Sequence, residues 1–133
     1  GHVWLDGHSV SGVSLASLRQ SIGWMGQDPL LVSGTIADNI RYGRPGATDE
    51  EIIAAASMVA ADKFIRELPK GYESVVGERG VDLSGGQRAR IAMARAVIRA
   101  PRIAIFDEST ASLDTETESQ LWASLRPWMN DRT

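Results

Sequence analysis

A glycine pair at the start of a helix is the feature that most constrains this chain. Residues Leu83-Ser84-Gly85-Gly86-Gln87 lead directly into a run of helix-forming residues that extends to Arg99. Two adjacent glycines let the backbone approach a ligand with no Cβ in the way. The unpaired N–H groups and the positive dipole end of the helix point across them. The pattern therefore favours an anion site, and above all a phosphate site.

An acidic pair further along the chain decides between this interpretation and a simpler one. Taken alone, Ser84 is more readily an ordinary helix cap in front of a glycine loop. However, the apolar run Ile103-Ala104-Ile105-Phe106 follows and ends in Asp107-Glu108. Such a run, with turn signals on both sides, predicts a buried parallel strand, and open α/β sheets bind ligands where their strands end. Two carboxylates there favour a bound cation, and Mg²⁺ prefers oxygen ligands.

Composition excludes several other classes of protein. The chain has 133 residues of which 43% are apolar, enough for a core in one domain or a large part of one. A net charge of −3 does not favour binding to nucleic acid or to an anionic membrane, and the absence of cysteine excludes disulfides and thiolate metal sites. Arg88, Arg95 and Arg99 share one helix face, which could indicate nucleic acid. Since no aromatic residues are interleaved, a solvated or ion-paired face is the better prediction.

The first part of the chain predicts strands. Residues 2–10 alternate apolar and polar side chains around Asp6-Gly7 and predict a short hairpin. The apolar residues of 22–25 predict a strand that stops before Pro29, because proline cannot continue a hydrogen-bonded ladder. Gln27 lies in the loop that follows, where a plain loop amide is the alternative to a functional role.

The rest of the chain predicts helices. They dominate from Ile36 to Leu68, with Thr48 and Glu51 forming a capping box. After the acidic pair, Thr115 with Glu118 predicts another capping box, and Pro127 is expected to end that last helix.

These motifs, in this order, resemble the ATP-binding cassette (ABC) family in its exporter form. Leu83 to Gln87 reads as its signature sequence, and Asp107-Glu108 as the end of its Walker B strand. Gln27-Asp28-Pro29 is similar to its Q-loop and residues 77–80 to its X-loop. Residues 109–114 are similar to its D-loop, although Ser-Thr-Ala-Ser stands where Ala-Thr-Ser-Ala is usual.

The resemblance implies an α/β fold, a partial P-loop NTPase core with an inserted all-helical subdomain. The implied segments are 1–32 (core strands and Q-loop), 33–100 (helical subdomain with X-loop and signature helix) and 101–133 (Walker B, D-loop and following helix).

The resemblance also implies a function, ATP hydrolysis coupled to transport, with ATP and Mg²⁺ as cofactors. The implied partners are a second nucleotide-binding domain and transmembrane domains contacted through the Q-loop and X-loop, without nucleic acid. The implied location is the cytoplasmic face of a membrane, with the segment itself soluble.

The resemblance finally implies a role for individual residues. Glu108 and Gln27 are implied in catalysis, and Asp107 and Gln27 in binding the metal. The residues implied to bind nucleotide in trans are Leu83, Ser84, Gly85, Gly86 and Gln87. The dimer contact is implied at Ser112, Leu113 and Asp114, and coupling at Gly77, Glu78, Arg79 and Gly80.

Part of the family pattern does not occur in the sequence. There is no Gly-x-x-x-x-Gly-Lys-Ser/Thr motif, the only lysines are Lys63 and Lys70, and no histidine follows position 8. We therefore expect the chain to cover the middle of a nucleotide-binding domain and, alone, to bind no ATP tightly. Two alternatives stay open. One is a non-catalytic module that docks through its helical face, and the other is a soluble cassette ATPase of DNA maintenance, which the exporter-like loops at Gln27 and 77–80 disfavour.

Overall fold

A parallel strand pair packed against helices organises the fold. The computed structural model describes residues 1–77 and 80–133. Within them, β3 (Ile22–Met25) pairs in parallel with β6 (Ile103–Phe106), with Ile22 opposite Ile103 and Met25 opposite Phe106. The prediction of an α/β chain with a helical region between its strands is confirmed. No helix of the described part of the chain has the length and hydropathy to cross a bilayer.

The other elements flank this pair. The Asp6-Gly7 turn, with φ of 48° and 77°, joins the first two strands as the predicted hairpin, because left-handed residues match the strand twist. The remaining elements are β1 (Trp4–Leu5), β2 (His8–Ser9), α1 (Leu15–Ser21), β4 (Gly34–Thr35), α2 (Ile36–Arg41), α3 (Asp49–Met58), α4 (Asp62–Glu67), β5 (Val75–Val76), α5 (Gly85–Val97) and α6 (Thr115–Met129), with 3₁₀ turns at Val10–Gly12 and Gly71–Glu73. Strands β4 and β5 pair antiparallel.

The core lies where α2 and α3 pack on α5. Helix α5 is apolar on most sides, and Ile91, Met93 and Ala94 on it are fully buried. Capping boxes begin α2 at Thr35 and α3 at Thr48, as local sequence predicts. These caps fix where each helix starts and therefore which residues face the core.

Two predictions about the last helix are wrong. Helix α6 is capped by Asp114, whose side chain accepts from the Thr117 backbone N–H, so Thr115 is already inside the helix. Asp and Ser/Thr compete for the same capping position, and here the carboxylate one residue earlier takes it. Pro127 lies within α6, which continues to Met129. Proline removes one intrahelical hydrogen bond, but only two helical residues follow it, so the loss is confined to the final turn.

Strand β6 is parallel, as predicted, but it is not buried. The helical layer covers one face of the sheet, where Gly23 and Met25 are buried. Side chains alternate between faces along a strand, so the register partners Trp24 and Ile105 lie on the other face and are 67% and 45% exposed. An exposed apolar pair of this kind marks a surface suited to further packing.

The predicted solvated or ion-paired arginine face is wrong for Arg95 on α5 and for Arg99 just after it, whereas Arg88 is exposed. Arg95 donates from Nη2 to the Leu30 carbonyl over 2.8 Å, and Arg99 donates to the Arg19 carbonyl over 2.6 Å. Burial lowers the pKa of Arg95 below its usual value. Arg95 thus joins α5, and Arg99 the turn after it, to carbonyls of earlier segments of the chain. A planar guanidinium can do this because it has several N–H donors.

Candidate functional site

The carboxyl ends of β3 and β6 bring together three predicted site residues. Because the strands are parallel, both end at one edge, and the ladder continues there with a bond from the Asp107 N–H to the Met25 carbonyl over 2.9 Å. Two residues beyond Met25, Gln27 donates from Nε2 to Glu108 Oε2 over 2.7 Å. This bond joins positions 81 residues apart. The structure therefore places Gln27, Asp107 and Glu108 in one cluster.

The backbone at Glu108 is unusual. Its φ of 46° lies in the left-handed region, which costs a residue with a Cβ roughly 1–2 kcal/mol. Such conformations persist where the surroundings determine them and often mark functional sites. Gln27, Asp107 and Glu108 are all exposed, so a solvent-borne ligand can reach each of them.

The chemistry of this edge fits Mg²⁺. The ion takes oxygen ligands, commonly one or two carboxylates, and fills its remaining positions with water and phosphate oxygens. Asp107 supplies an accessible carboxylate. Since the Gln27 amide nitrogen already bonds Glu108, its Oε1 is the atom left to accept a metal-bound water or bind the metal.

The predicted phosphate-binding residues lie at the start of α5, where local contacts fix their geometry. Ser84 Oγ accepts from the Gln87 N–H over 3.1 Å, and Gln87 Oε1 accepts from the Ser84 N–H over 2.9 Å. This capping box engages the Gln87 oxygen within the chain itself. Leu83 is buried at 5% exposure and its carbonyl accepts from Arg88. Of the five residues, Ser84 is exposed and Gly85 is half-buried.

The two glycines have different surroundings. A Cβ at Gly86 would lie 2.9 Å from Leu113 Cδ2 and 3.0 Å from the Ser112 carbonyl oxygen. A Cβ at Gly85 would lie 3.4 Å from Ser112 Cβ, an ordinary contact. Gly86 is therefore needed for packing against residues 112–113 of the same chain, a contact that the sequence analysis did not predict. Gly85 remains at the surface, where a ligand can approach its backbone.

Asp114, predicted at a dimer contact, serves locally as the cap of α6. Its Oδ1 accepts from the Thr117 N–H over 2.9 Å and its Oδ2 from the Thr117 hydroxyl over 2.7 Å. These bonds, the backbone one above all, lower the pKa of Asp114. Nearby, Arg90 packs 4.6 Å from the Phe64 ring centroid and donates to the Ala60 carbonyl. Burial lowers the pKa of Arg90, and the charge of Asp114 opposes that shift.

Two further residues that the sequence analysis missed surround the acidic pair. Glu118 accepts from the Thr110 hydroxyl over 2.7 Å. Trp122 packs edge-on against Phe106, with ring centroids 6.2 Å apart. The available signal was the spacing of Glu118 and Trp122, which lie four residues apart and so share one face of α6.

The predicted coupling segment is only partly described. Glu78 and Arg79 lie outside the described residues. Gly77 has a φ of 122° and packs against Ser33, and a Cβ at Gly80 would lie 2.2 Å from the Val75 carbonyl oxygen. Glycine is therefore favoured at 77 by the positive φ and at 80 by the close approach of the Val75 backbone, whatever else this loop does.

An apolar groove opens beside Gln27, between α1, β3 and α5. Its volume is about 650 Å³, and Trp24, Leu30 and Tyr42 on its lining are 67%, 83% and 68% exposed. Arg95 and Arg99 contribute its polar part. Several large apolar side chains exposed together are typical of a binding surface.

Comparison with known proteins shows which family this chain resembles. The family model for the ABC transporter matches residues 1–111. ABC transporter B family member 4 of Dictyostelium discoideum is 47% identical over all 133 residues, which span 17% of that protein. An uncharacterized ABC transporter ATP-binding protein of Sinorhizobium fredii is 50% identical over 133 residues, 23% of its length. A putative multidrug export ATP-binding/permease protein of Staphylococcus aureus is 47% identical over the same number of residues, also 23% of its length.

A solved structure superposes on this chain over its whole length. The structure of a bacterial Atm1-family ABC exporter with ATP bound superposes with a TM-score of 0.95 at 44% identity, covering 100% of this chain and 23% of that one. The chain thus spans less than a quarter of the length of each of these proteins. The family match, the identities and the superposition agree: this chain belongs to the ABC transporter family and corresponds to a portion of its exporter-type nucleotide-binding domain.

Proposed function

We propose that this chain is part of the ATP-hydrolysing domain of an ABC exporter, which binds ATP with Mg²⁺ and couples its hydrolysis to transport. The observation that carries the proposal is the bond from Gln27 to Glu108 beside Asp107, at the carboxyl edge of a parallel strand pair. The Gln27 amide meets the Glu108 carboxylate there, and Asp107 precedes Glu108 at the same edge. The Atm1-family exporter superposed above has ATP bound.

Each residue of the cluster has a chemical role in this proposal. Glu108 is the general base that orients and deprotonates the attacking water, a step worth roughly 10²- to 10⁴-fold in rate. Asp107 holds Mg²⁺, which supplies electrostatic stabilisation to the phosphates. Gln27 holds Glu108 through its nitrogen and senses the nucleotide and metal through its oxygen. The exposure of all three supports access by a ligand.

The proposed partner in catalysis is a second nucleotide-binding domain. Residues 83–87 would bind the phosphates of ATP held by that domain, in a two-fold symmetric pair. The capped start of α5, a helix of 13 residues, and the accessible backbone of Gly85 support this. Ser112 and Leu113 pack beside the same glycines, so they and the adjacent Asp114 would lie at the same interface.

The proposed membrane partner is the set of transmembrane domains of the same transporter, which would place this domain at the cytoplasmic face of the membrane. The apolar groove beside Gln27 supports a docking segment of those domains, because occupation of the groove would reach the loop that carries the sensing residue. Residues 77–80 are proposed as a second contact. The related ATP-binding/permease protein of Staphylococcus aureus is named for export.

Replacement of Glu108 by Gln in the intact protein tests the proposal. Glutamine keeps the size of the side chain and can still bond Gln27, but it cannot accept a proton from water. We expect ATP binding to be retained and steady-state hydrolysis to fall by roughly 10²-fold or more. Glu67→Gln, at an exposed position on α4, is the matched control and should hydrolyse ATP normally. Hydrolysis by Glu108→Gln at the wild-type rate would remove Glu108 from the role of base.

For the 133-residue chain alone we infer no tight ATP binding, because its sequence has no glycine-rich loop with a phosphate-binding lysine. Titration with labelled ATP–Mg²⁺ measures this, and micromolar affinity would contradict it.

A further inference from the structure

Helix α6 contacts the chain on both sides of the acidic pair. We propose that Glu118, on this helix, is a positioning residue that fixes the turn carrying Glu108 and so sets the rate of hydrolysis. The inference rests on the function proposed above for Glu108. It assigns to Glu118 a role that neither its sequence context nor the family resemblance indicated.

On the C-terminal side of the pair, Glu118 holds the turn directly. Its Oε1 accepts from the Thr110 hydroxyl over 2.7 Å, in a partly buried setting. A hydrogen bond to a charged acceptor is stronger than most neutral ones. The Thr110 carbonyl in turn accepts from the Leu113 N–H over 2.9 Å. Glu118 thereby fixes the middle of the loop between β6 and α6.

On the N-terminal side, the same face of α6 holds the end of the strand. Trp122 packs on Phe106, the residue before Asp107, with an interplanar angle of 72°. Edge-to-face aromatic pairs stabilise beyond the area they bury. Trp122 Nε1 also approaches Glu118 Oε1, at 3.4 Å. One helix face therefore fixes residues 106 and 110, and the acidic pair lies between them.

The backbone of Glu108 explains why this support matters. Its left-handed φ of 46° is unfavourable unless its surroundings impose it. A bond from the Ala111 N–H to the Glu108 carbonyl over 3.1 Å closes the turn around it. Within the described residues, the only hydrogen bond of the Glu108 side chain is the one that it accepts from Gln27. Without the bond from Thr110 to Glu118, the turn can relax toward ordinary backbone angles and the carboxylate moves with it.

Four variants of the intact protein test this. Glu118→Ala and Thr110→Val each remove the bond, whereas Glu118→Gln keeps an acceptor oxygen for the Thr110 hydroxyl. Glu116→Ala is the matched control, since Glu116 also lies in the first turn of α6 and, among the described residues, its side chain bonds only Gln120. ATPase rates are measured over a range of ATP concentrations, and Tm is measured for each variant. Glu108→Gln is measured in parallel.

We expect Glu118→Ala and Thr110→Val each to lower kcat about 10-fold or more, since a misplacement near 1 Å can cost about 10²-fold. KM for ATP should change less than about 2-fold, because ground-state binding does not use Glu108. A fifth variant that combines Glu118→Ala with Thr110→Val should be no slower than either single variant, because both remove the same bond. Glu118→Gln and Glu116→Ala should stay near the wild-type rate.

The opposing outcomes are distinct. A normal kcat in Glu118→Ala, additive losses in the double variant, or equal losses in Glu118→Gln and Glu118→Ala would each overturn the positioning role. A fall in rate that follows Tm across all four variants would also overturn it in favour of a purely structural contact. If Glu108→Gln hydrolyses ATP at the wild-type rate, Glu108 is not the base and the positioning role of Glu118 is overturned with it. A slow Glu108→Gln beside a normal Glu118→Ala overturns the positioning role alone.

Discussion

The two halves of the candidate site are built in opposite ways. The start of α5 is fixed by contacts three residues apart, with Ser84 and Gln87 bonding each other's backbone. The carboxylate edge depends on contacts between separate elements, with Gln27 bonding Glu108 across 81 residues and Thr110 bonding Glu118 on α6. The first half is covered by its own chain at Gly86, whereas the second exposes all of its functional groups.

This difference indicates where stability and chemistry lie. A locally capped helix start is present whenever the helix forms, so its geometry depends little on what is bound. An exposed cluster held by single long-range bonds is free to rearrange when a ligand arrives. Substitutions that remove the cap or the packing of the first half should therefore act on folding, and substitutions in the second half on turnover.

The largest expected effect separates the two glycines of the first half. Gly86→Ala should destabilise the fold by about 1–3 kcal/mol, because its Cβ would overlap residues 112–113. Gly85→Ala should leave stability unchanged while it lowers nucleotide turnover, since its Cβ makes only ordinary contacts. Urea unfolding of the chain and ATPase assays of the intact protein measure the two effects. Equal losses of stability in both variants would show that the packing difference has no consequence.

A second pair compares the halves directly. Ser84→Ala removes the helix cap and should lower the free energy of unfolding by about 1 kcal/mol. Gln27→Ala removes an exposed bond and should change it by less than about 0.5 kcal/mol. Hydrolysis should nevertheless fall in Gln27→Ala, because Glu108 loses its partner. A urea midpoint for Gln27→Ala markedly below that of Ser84→Ala would contradict this difference between the two halves.

The smallest effect is a pH dependence at the cap of α6. Hydrogen bonds from Thr117 lower the pKa of Asp114 in the folded state. A lowered folded pKa contributes stability that is present above the unfolded pKa, about 3.9, and is lost as the pH falls. Asparagine also caps helices but does not titrate. Between about pH 5 and pH 3, the urea midpoint of the wild type should therefore fall more steeply than that of Asp114→Asn.

Asp131→Asn, which removes a carboxylate at an exposed position beyond α6, is the control for that experiment. Parallel pH profiles of the wild type and Asp114→Asn would show that the cap bonds do not distinguish the ionised carboxylate.

Local sequence predicted what local contacts determine. The capping box at Thr48 and the apolar face of α3 follow from residues within one or two turns, and both are confirmed. The same rule failed at Thr115, because Asp114 competes for the cap and Glu118 is drawn to Thr110 instead. A capping-box pattern does not reveal that its acidic member has a better partner elsewhere.

Long-range contacts were predictable only in outline. Parallel strands imply that residues after β3 and β6 meet at one edge, yet a bond spanning 81 residues depends on loop conformations that no short pattern encodes. The prediction that Arg95 and Arg99 are solvated or ion-paired failed for the same reason, since the carbonyls that accept from them belong to distant segments. The roles of the site residues in nucleotide chemistry stay predictions until the variants above are measured.

Arg95 has a mechanical consequence. Arg95 lies near the C-terminal end of α5 and donates to the Leu30 carbonyl, three residues past Gln27. The N-terminal end of the same helix is Gly85. The 13 residues of α5 form a stiff rod about 20 Å long. A rigid-body displacement of α5 at its glycine end would therefore move the carbonyl of Leu30 and the loop that carries Gln27.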